Sequence, residues 1–383
     1  MKFLKKSKKE KRIILVISDL HLGAGDEYKD RKNPLEDFFA DKELVDFFEY
    51  YSIGEYQNKE VELIINGDFL DLLAVPYVSQ FDEDFWSETA ALEKLELILG
   101  AHPEVMGALK GFVSQKNKKL VYIIGNHDAE LLFDSLKERF MSIFNDEDQS
   151  KVTLTNELNL YEPTKGVFIQ HGHEYESLHQ FNPEDSIVES NTGEKYFIPP
   201  WGSYYVTHVV NKYKLERDHV NAVRPIKKFI IHSLIYDTFF SLRFLIANIY
   251  FYFMIRCLTY YRLKLGWKNI FEDIVSELTL FQDYESLTRD FFQEQKESKV
   301  LIVGHTHEPI YREYSDGTTF INTGTWTRMV SLDLSHDMNT TSLTYAKVSI
   351  YNKDYELKDF MSSVKVVLNK WVPKSDLPYE EFR

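Results

Sequence analysis

Aspartate, histidine and asparagine gather in five short groups along this chain: Asp19-Leu20-His21, Gly67-Asp68, Gly125-Asn126-His127-Asp128, His171-Gly172-His173 and Gly304-His305-Thr306-His307. Carboxylate, amide and imidazole donors with no thiolate among them suit manganese, iron, zinc or nickel. Asp68 offers two carboxylate oxygens and can bridge a pair of ions. Asn126 can add an amide oxygen, and His171, His305 and His307 add imidazoles. Asp19 and His21, one residue apart on an extended backbone, would project to the same side and face one ion. Two divalent ions about 3.5 to 4 Å apart clamp a phosphoryl group and produce a hydroxide near neutral pH. A lone histidine after a strand is more often a hydrogen-bonded structural residue, so the weight rests on five groups in order.

Each group follows a run of β-branched and aliphatic residues, which places it where a buried strand ends and the backbone turns outward. Sites in α/β sheets form at such carboxyl ends. The runs predict strands over 12–18, 61–66, 119–124, 166–170 and 299–303, with helical patterns over 35–50 and 88–113. Strands alternating with helices indicate an α/β layer architecture. After the last group come shorter β-like segments near 309–313, 318–322, 327–333 and 341–351, with a hairpin at Asp316-Gly317. They predict a second, mostly antiparallel sheet covering the first.

Because the groups run from residue 19 to residue 307 and must converge, the 383 residues are read as one catalytic domain, 12–173 with 299–370. A basic tail (1–11) precedes it, an inserted aromatic-rich helical cap (174–298) interrupts it, and a C-terminal tail (371–383) ends it. The composition, 44% hydrophobic and 27% charged with 28 Phe and 24 Tyr, can fill a large core. A net charge of −15 argues against nucleic acid as a partner, because such binders displace counterions with basic surface. Bound divalent ions would still reverse the local field for a small anionic substrate. The single cysteine, Cys257, excludes an intrachain disulfide and is compatible with a reducing compartment. The basic start followed by Ile13 to Ile17 is too short for an export signal, and cleavage there would remove the first ligands, so a cytoplasmic enzyme is expected.

The ordered set resembles the calcineurin-like metallophosphoesterase superfamily, whose pattern is D-x-H, G-D-x-x-D, G-N-H-[D/E], H-G-H and G-H-x-H. The resemblance covers residues 13–173 and 299 to about 350. It implies a β-sandwich of two mixed sheets flanked by helices. It also implies Asp19, His21, Asp68 and His307 around a first ion, and Asp68, Asn126, His171 and His305 around a second, with manganese the expected metal. His127 would then overlook the ions, stabilising the transition state or protonating the leaving oxygen, while Asp71 orients it. Asp71 could instead cap the following helix. Asp128 and Glu174 read as supporting residues or caps, and His173 as a weaker ligand candidate than His171. The reaction would be in-line attack by hydroxide on phosphorus, without a covalent enzyme intermediate.

Ser18 to Gly23 and Gly67 to Asp71 also look like the bacterial UDP-2,3-diacylglucosamine pyrophosphatase branch, in which an apolar cap holds acyl chains above the metals. That branch usually has arginine where this chain has His127, so this position follows the general pattern. Within the cap, Phe244 to Ile255 carries no charge and is bracketed by Arg243 and Arg256. It falls short of the about 20 apolar residues of a membrane span. A helix buried between cap and core, an apolar substrate groove, and a helix at a membrane interface are the three readings. Arg217, His219, Arg224 and Arg243 are the candidate contacts for a phosphate or headgroup. The substrate is expected to be a phosphoester, amphipathic if the cap binds lipid, and the basic tail would then add peripheral membrane contact at the inner face. A nucleotide phosphodiesterase or phosphomonoesterase is the soluble alternative, and a noncatalytic metal-binding scaffold the alternative of another class.

Overall fold

The computed structural model describes residues 9–76, 83–155, 160–176, 178–217, 223–224, 237–263, 284–331, 343–373 and 378–382. Strand β1 (Arg12–Ile17) alternates its side chains between two cores. Ile13, Leu15 and Ile17 pack with residues of the helices, whereas Ile14 and Val16 pack with residues of a second sheet. Both faces are covered, which is why the strand reads as an unbroken apolar run. Strands β2 (Glu60–Asn66), β3 (Lys118–Ile123) and β4 (Val152–Thr155) follow in parallel. Helices α1 (Asp41–Tyr50), α2 (Glu88–Ala101), α3 (Pro103–Ser114) and α4 (Asp134–Met141) supply Leu44, Phe47, Leu95, Leu109 and Phe140 to the first core.

The helical patterns are shorter than expected at two points. Residues 35–40 form a loop because the buried Glu36 carboxylate accepts the backbone N–H groups of Gly23, Gly25 and Phe38. The pattern over 88–113 is two helices, since Pro103 stands in the first turn of α3 and cannot donate to the turn before it. His102 occupies the break, with its ring bonded to Asp41 Oδ1 at 2.6 Å and the Gly23 carbonyl at 3.1 Å.

The chain next lays down β5 (Tyr161–Thr164) and β6 (Val167–Ile169), then the insertion. The insertion contributes a hairpin of β7 (Ile187–Glu189) and β8 (Lys195–Phe197), then α5 (Trp201–Tyr205), a π-helical stretch (Val206–Val210) and α6 (Asn211–Lys214). A long helix α7 (Thr238–Leu263) and α8 (Tyr284–Glu294) follow among the described residues. Strands β9 (Val300–Val303), β10 (Ile310–Glu313) and β11 (Thr319–Asn322) precede β12 (Thr344–Ile350), β13 (Val364–Trp371) and β14 (Tyr379–Glu381).

The seven-stranded sheet has the order β14-β13-β12-β1-β2-β3-β4, and the five-stranded sheet β10-β11-β9-β6-β5. Three expectations change here. The second sheet is mixed rather than mostly antiparallel: β9 runs parallel to β6 and β11, and only the edge pairs are antiparallel. Parallel β6 and β9 bring His171 and His305 out at one end of the sheet. The segment near 341–351 joins the first sheet, antiparallel to β1. Residues 371–383 are not only a tail, because β14 pairs with β13 at the sheet edge. Phe291 of α8 packs with Phe168, Leu301, Val303 and Phe320 on the outer face of the second sheet, so the insertion's last helix serves the sandwich. The layers are helices, sheet, sheet and helix, with the site at one edge.

Candidate metal centre

Asp19, His21, Asp68, His305 and His307 all take left-handed backbone, with φ of 53°, 52°, 52°, 69° and 63°. Such a conformation costs a non-glycine residue about 1 to 2 kcal/mol. It persists where surrounding contacts over-determine it, typically at functional sites. Asp19 and His21 therefore do not share an extended backbone. Their loop is instead knitted to the next strand's loop, with His21 N–H on the Asp68 carbonyl and Leu22 N–H on the Phe69 carbonyl, both at 2.9 Å. Gly67 and Gly125 allow side chains from other loops to cross them: a Cβ would lie 2.3 Å from His171 Nδ1 and 2.2 Å from Asp68 Oδ1 respectively.

Two ligand groups result. In the first, His307 Nε2 lies 3.0 Å from His21 Nε2 and 3.5 Å from Asp19 Oδ1. In the second, His171 Nε2 lies 3.2 Å from both Asp68 Oδ2 and Asn126 Oδ1, and His305 converges on Asp68 and His171. Asp68 Oδ2 is also 3.8 Å from His21 Nε2, so this carboxylate stands between the groups. His171 Nδ1 donates to the Asn66 carbonyl at 2.8 Å, which turns Nε2 toward Asp68 Oδ2 and Asn126 Oδ1. A carboxylate, an amide oxygen and an imidazole nitrogen that close together form a donor set a divalent cation can use. The donor set thus fits two divalent ions, with Asp19, His21, Asp68 and His307 on one and Asp68, Asn126, His171 and His305 on the other.

The electrostatics agree with that fit. Burial pushes the Asp68 carboxyl up, yet His171 and His127 outweigh it and hold it well below the usual carboxylate range. Burial would lower the His21 imidazole, but the Asp71 bond and nearby carboxylates push it up to about 9. A pocket that favours charged imidazoles favours cations generally.

His127 sits beside the ligands, its ring edge-on to His21 with centroids 4.5 Å apart. Its Nδ1 bonds Asp71 Oδ1 at 2.9 Å, while its backbone N–H donates to Asp68 Oδ1 at 2.8 Å. The Asp71 Oδ1 atom also accepts the N–H groups of Leu73 and Ala74 at 3.2 and 3.1 Å, which closes a turn where a helix cap was the alternative expectation. Asp128 is a loop lock: it accepts from Gly125 N at 2.6 Å, Phe69 N at 2.9 Å and the Tyr122 hydroxyl at 2.6 Å. His173 stacks on Phe181 at 5.0 Å, and burial pushes its imidazole well down, so it stays neutral.

Two of the four expected phosphate contacts already have acidic partners. Arg217 pairs with Asp237 at 2.9 Å and Arg243 with Glu216, so acids on the cap already neutralise both guanidinium groups. Arg224 lies in a short strand, Val223–Arg224, paired with Val330–Ser331, and His219 lies outside the described residues. Several supports are absent from the sequence reading. The Ser18 hydroxyl donates to the Asp19 carboxylate, and the Thr325 hydroxyl to the Asp19 carbonyl at 2.6 Å. The Asn322 amide donates to the Gly304 carbonyl at 2.8 Å. The polar run Asn322-Thr323-Gly324-Thr325 at a strand end was the available signal.

The sequence profile of the calcineurin-like phosphoesterase family matches residues 13–309. The chain belongs to that family. This phosphoesterase also overlaps solved structures at low likeness. A dimetal phosphatase from Danio rerio shares 12% identity, over 90% of this chain and 94% of that chain, at a TM-score of 0.35. Vacuolar Protein Sorting 29 from Cryptosporidium parvum shares 11%, over 98% and 99%, at 0.29. A 5'-nucleotidase from Candida albicans shares 12%, over 94% and 52%, at 0.31. Overlaps this loose carry no argument about substrate. Among curated proteins none matches.

Proposed function

We propose that this phosphoesterase uses two divalent ions, manganese in the first instance, to hydrolyse a lipid-linked phosphoester or pyrophosphate at a membrane surface. The observation that carries the lipid is the exposed apolar side of α7 among the described residues. Phe239, Leu242, Leu245, Ile246, Ile249 and Phe253 are all exposed along it, from 41% to 78%. Its other side is covered, with Phe240 and Phe251 packed against Val209 and Tyr213 of the preceding helices. A run of exposed apolar side chains this long marks an interaction surface.

The sequence of the helix contains no acid and, beside the Arg243 that Glu216 holds, two further arginines, Arg256 and Arg262, against a net charge of −15 for the chain. That polarity suits an anionic bilayer, with α7 lying in the interface. Among the described residues no helix is long and apolar enough to cross a membrane. The metal centre and α7 are joined through α5: Gly202 touches His179 beside the candidate ligands, and Trp201 and Tyr205 reach Phe251. A headgroup at the metals with acyl chains along α7 is the arrangement this supports.

When bound, the two ions would polarise the phosphoryl group and supply hydroxide at neutral pH. Around them Asp71 holds the His127 imidazole, which would give the leaving oxygen its proton. The test is hydrolysis by manganese-loaded protein of a diacyl nucleotide sugar, its deacylated analogue and p-nitrophenyl phosphate esters. Apolar burial predicts a kcat/KM for the diacyl form higher by about tenfold or more. Equal rates for the acylated and deacylated forms would remove the lipid and favour a water-soluble nucleotide ester.

A further inference from the structure

The insertion sends two polar side chains to the metal centre that none of the five sequence groups contains. Glu176 and His179 both follow the short 3-10 turn His173–Tyr175. Glu176 Oε2 accepts from His305 Nε2 at 3.0 Å and lies 3.5 Å from His179 Nε2. On the far side of the same ring, His179 Nδ1 faces Asn126 Nδ2 at 3.4 Å. With Asn126 Oδ1 turned to His171, this amide nitrogen can only donate. His179 Nδ1 therefore accepts, and its proton belongs on Nε2, the nitrogen nearest Glu176.

The four side chains then form one arc from Asn126 through His179 and Glu176 to His305. Its two ends are ligands of the same ion. With Nδ2 held by His179, the Asn126 amide cannot flip its oxygen away from His171. With Nε2 held by Glu176, His305 keeps Nδ1 unprotonated for the metal. We propose that Glu176 and His179 are positioning residues of the second metal site, setting the amide face of Asn126 and the tautomer of His305. This rests on the two-metal reading of the centre.

The insertion thereby becomes part of the metal site. Gly202, at the start of α5, is pressed so closely on His179 that a Cβ would lie 2.5 Å from its Nδ1. Its N–H donates to the Leu178 carbonyl at 2.7 Å, which fixes the approach. Histidine ligands commonly pass their second nitrogen to a carboxylate, and losing that partner costs about 10- to 100-fold in metal affinity.

The test titrates manganese into metal-stripped, full-length protein by calorimetry, with bound metal counted independently by elemental analysis. Wild type takes two ions. Glu176→Gln and His179→Ala should each weaken one site by about 10- to 100-fold and leave the other unchanged. Asp19→Asn should weaken the opposite site, and His179→Gln, which keeps an acceptor for Asn126, should lose less than His179→Ala. Gly202→Ala displaces the ring without removing it, so it shifts the same site in the same direction and serves if Glu176→Gln fails to fold. Two ions bound with unchanged affinities in these variants would overturn the proposal. So would a wild type holding three ions, one of which vanishes in the variants, because Glu176 and His179 would then be ligands themselves. Fewer than two ions in wild type would instead overturn the two-metal reading, and the proposal with it.

Discussion

Strand β1 and helix α7 are both strongly apolar, and they are treated in opposite ways. From Ile13 to Ile17 every side chain of β1 is 0% exposed, shared between the helical layer and the second sheet. Helix α7 buries Phe240 and Phe251 yet leaves Phe239 and Tyr250 at 78% and 67% exposed. Composition does not separate the two; the number of covered faces does. The sandwich uses its apolar residues to hold strand ends rigid enough to carry five candidate ligands in left-handed backbone. Among the described residues the insertion leaves an apolar face of α7 exposed, which suits contact with something outside the chain.

The sharpest break of this comparison is at the rigid end. Asp68→Ala removes the carboxylate shared by both ligand groups, so both ions should be lost and turnover should fall about a thousandfold or more. Elemental analysis beside the rate separates metal loss from a failure of chemistry. His127→Ala should lower turnover by about 10²- to 10⁴-fold while metal content holds. Metal loss in that variant would contradict its place beside, rather than among, the ligands.

Leu15→Ala and Ile246→Ala test the two apolar regions directly by urea unfolding. The first leaves a cavity between packed layers and should cost about 2 to 5 kcal/mol. The second lies 57% exposed on α7 and should change stability by about 0.5 kcal/mol or less, while weakening binding to anionic vesicles. A large stability loss at Ile246 would mean that the face is covered by the protein's own chain.

The smallest expected effect is at His102, which ties the α2–α3 break to the loop after Asp19-Leu20-His21. Burial alone would lower its imidazole, but the bond to Asp41 and the nearby Glu36 raise it above the ordinary value. A raised histidine contributes stability in full below its unfolded value of about 6.5 and loses it as pH rises through the folded value. His102→Gln should therefore flatten the fall in stability above about pH 6.5, read from urea midpoints across that range. An unchanged pH slope would detach His102 from the loop's stability.

The parts legible in the sequence are those governed by local pattern. The apolar runs before Asp19, Asp68, Asn126, His171 and His305 give strands because alternate residues meet two different cores. Helix ends were harder to read: Pro103 marked one start, but Glu36 stopped another pattern through backbone contacts that no spacing reveals. The parallel setting of β6 beside β9, and the transfer of β12 to the first sheet, depend on pairing between segments more than a hundred residues apart. Arg217 and Arg243 looked available for phosphate because nothing local identifies Asp237 and Glu216 as their partners.

By itself, the sequence determined the reaction class, because a ligand set is a matter of residue type and order. It also determined the apolar character of α7, which is composition. The tertiary structure decided which side of α7 is covered, since that depends on Val209 and Tyr213 arriving from another helix. It decided that Glu176 and His179 close around Asn126 and His305, because hydrogen bonds across the fold follow proximity in space. It also decided the left-handed turns at five candidate ligands, which only the surrounding network can hold in place.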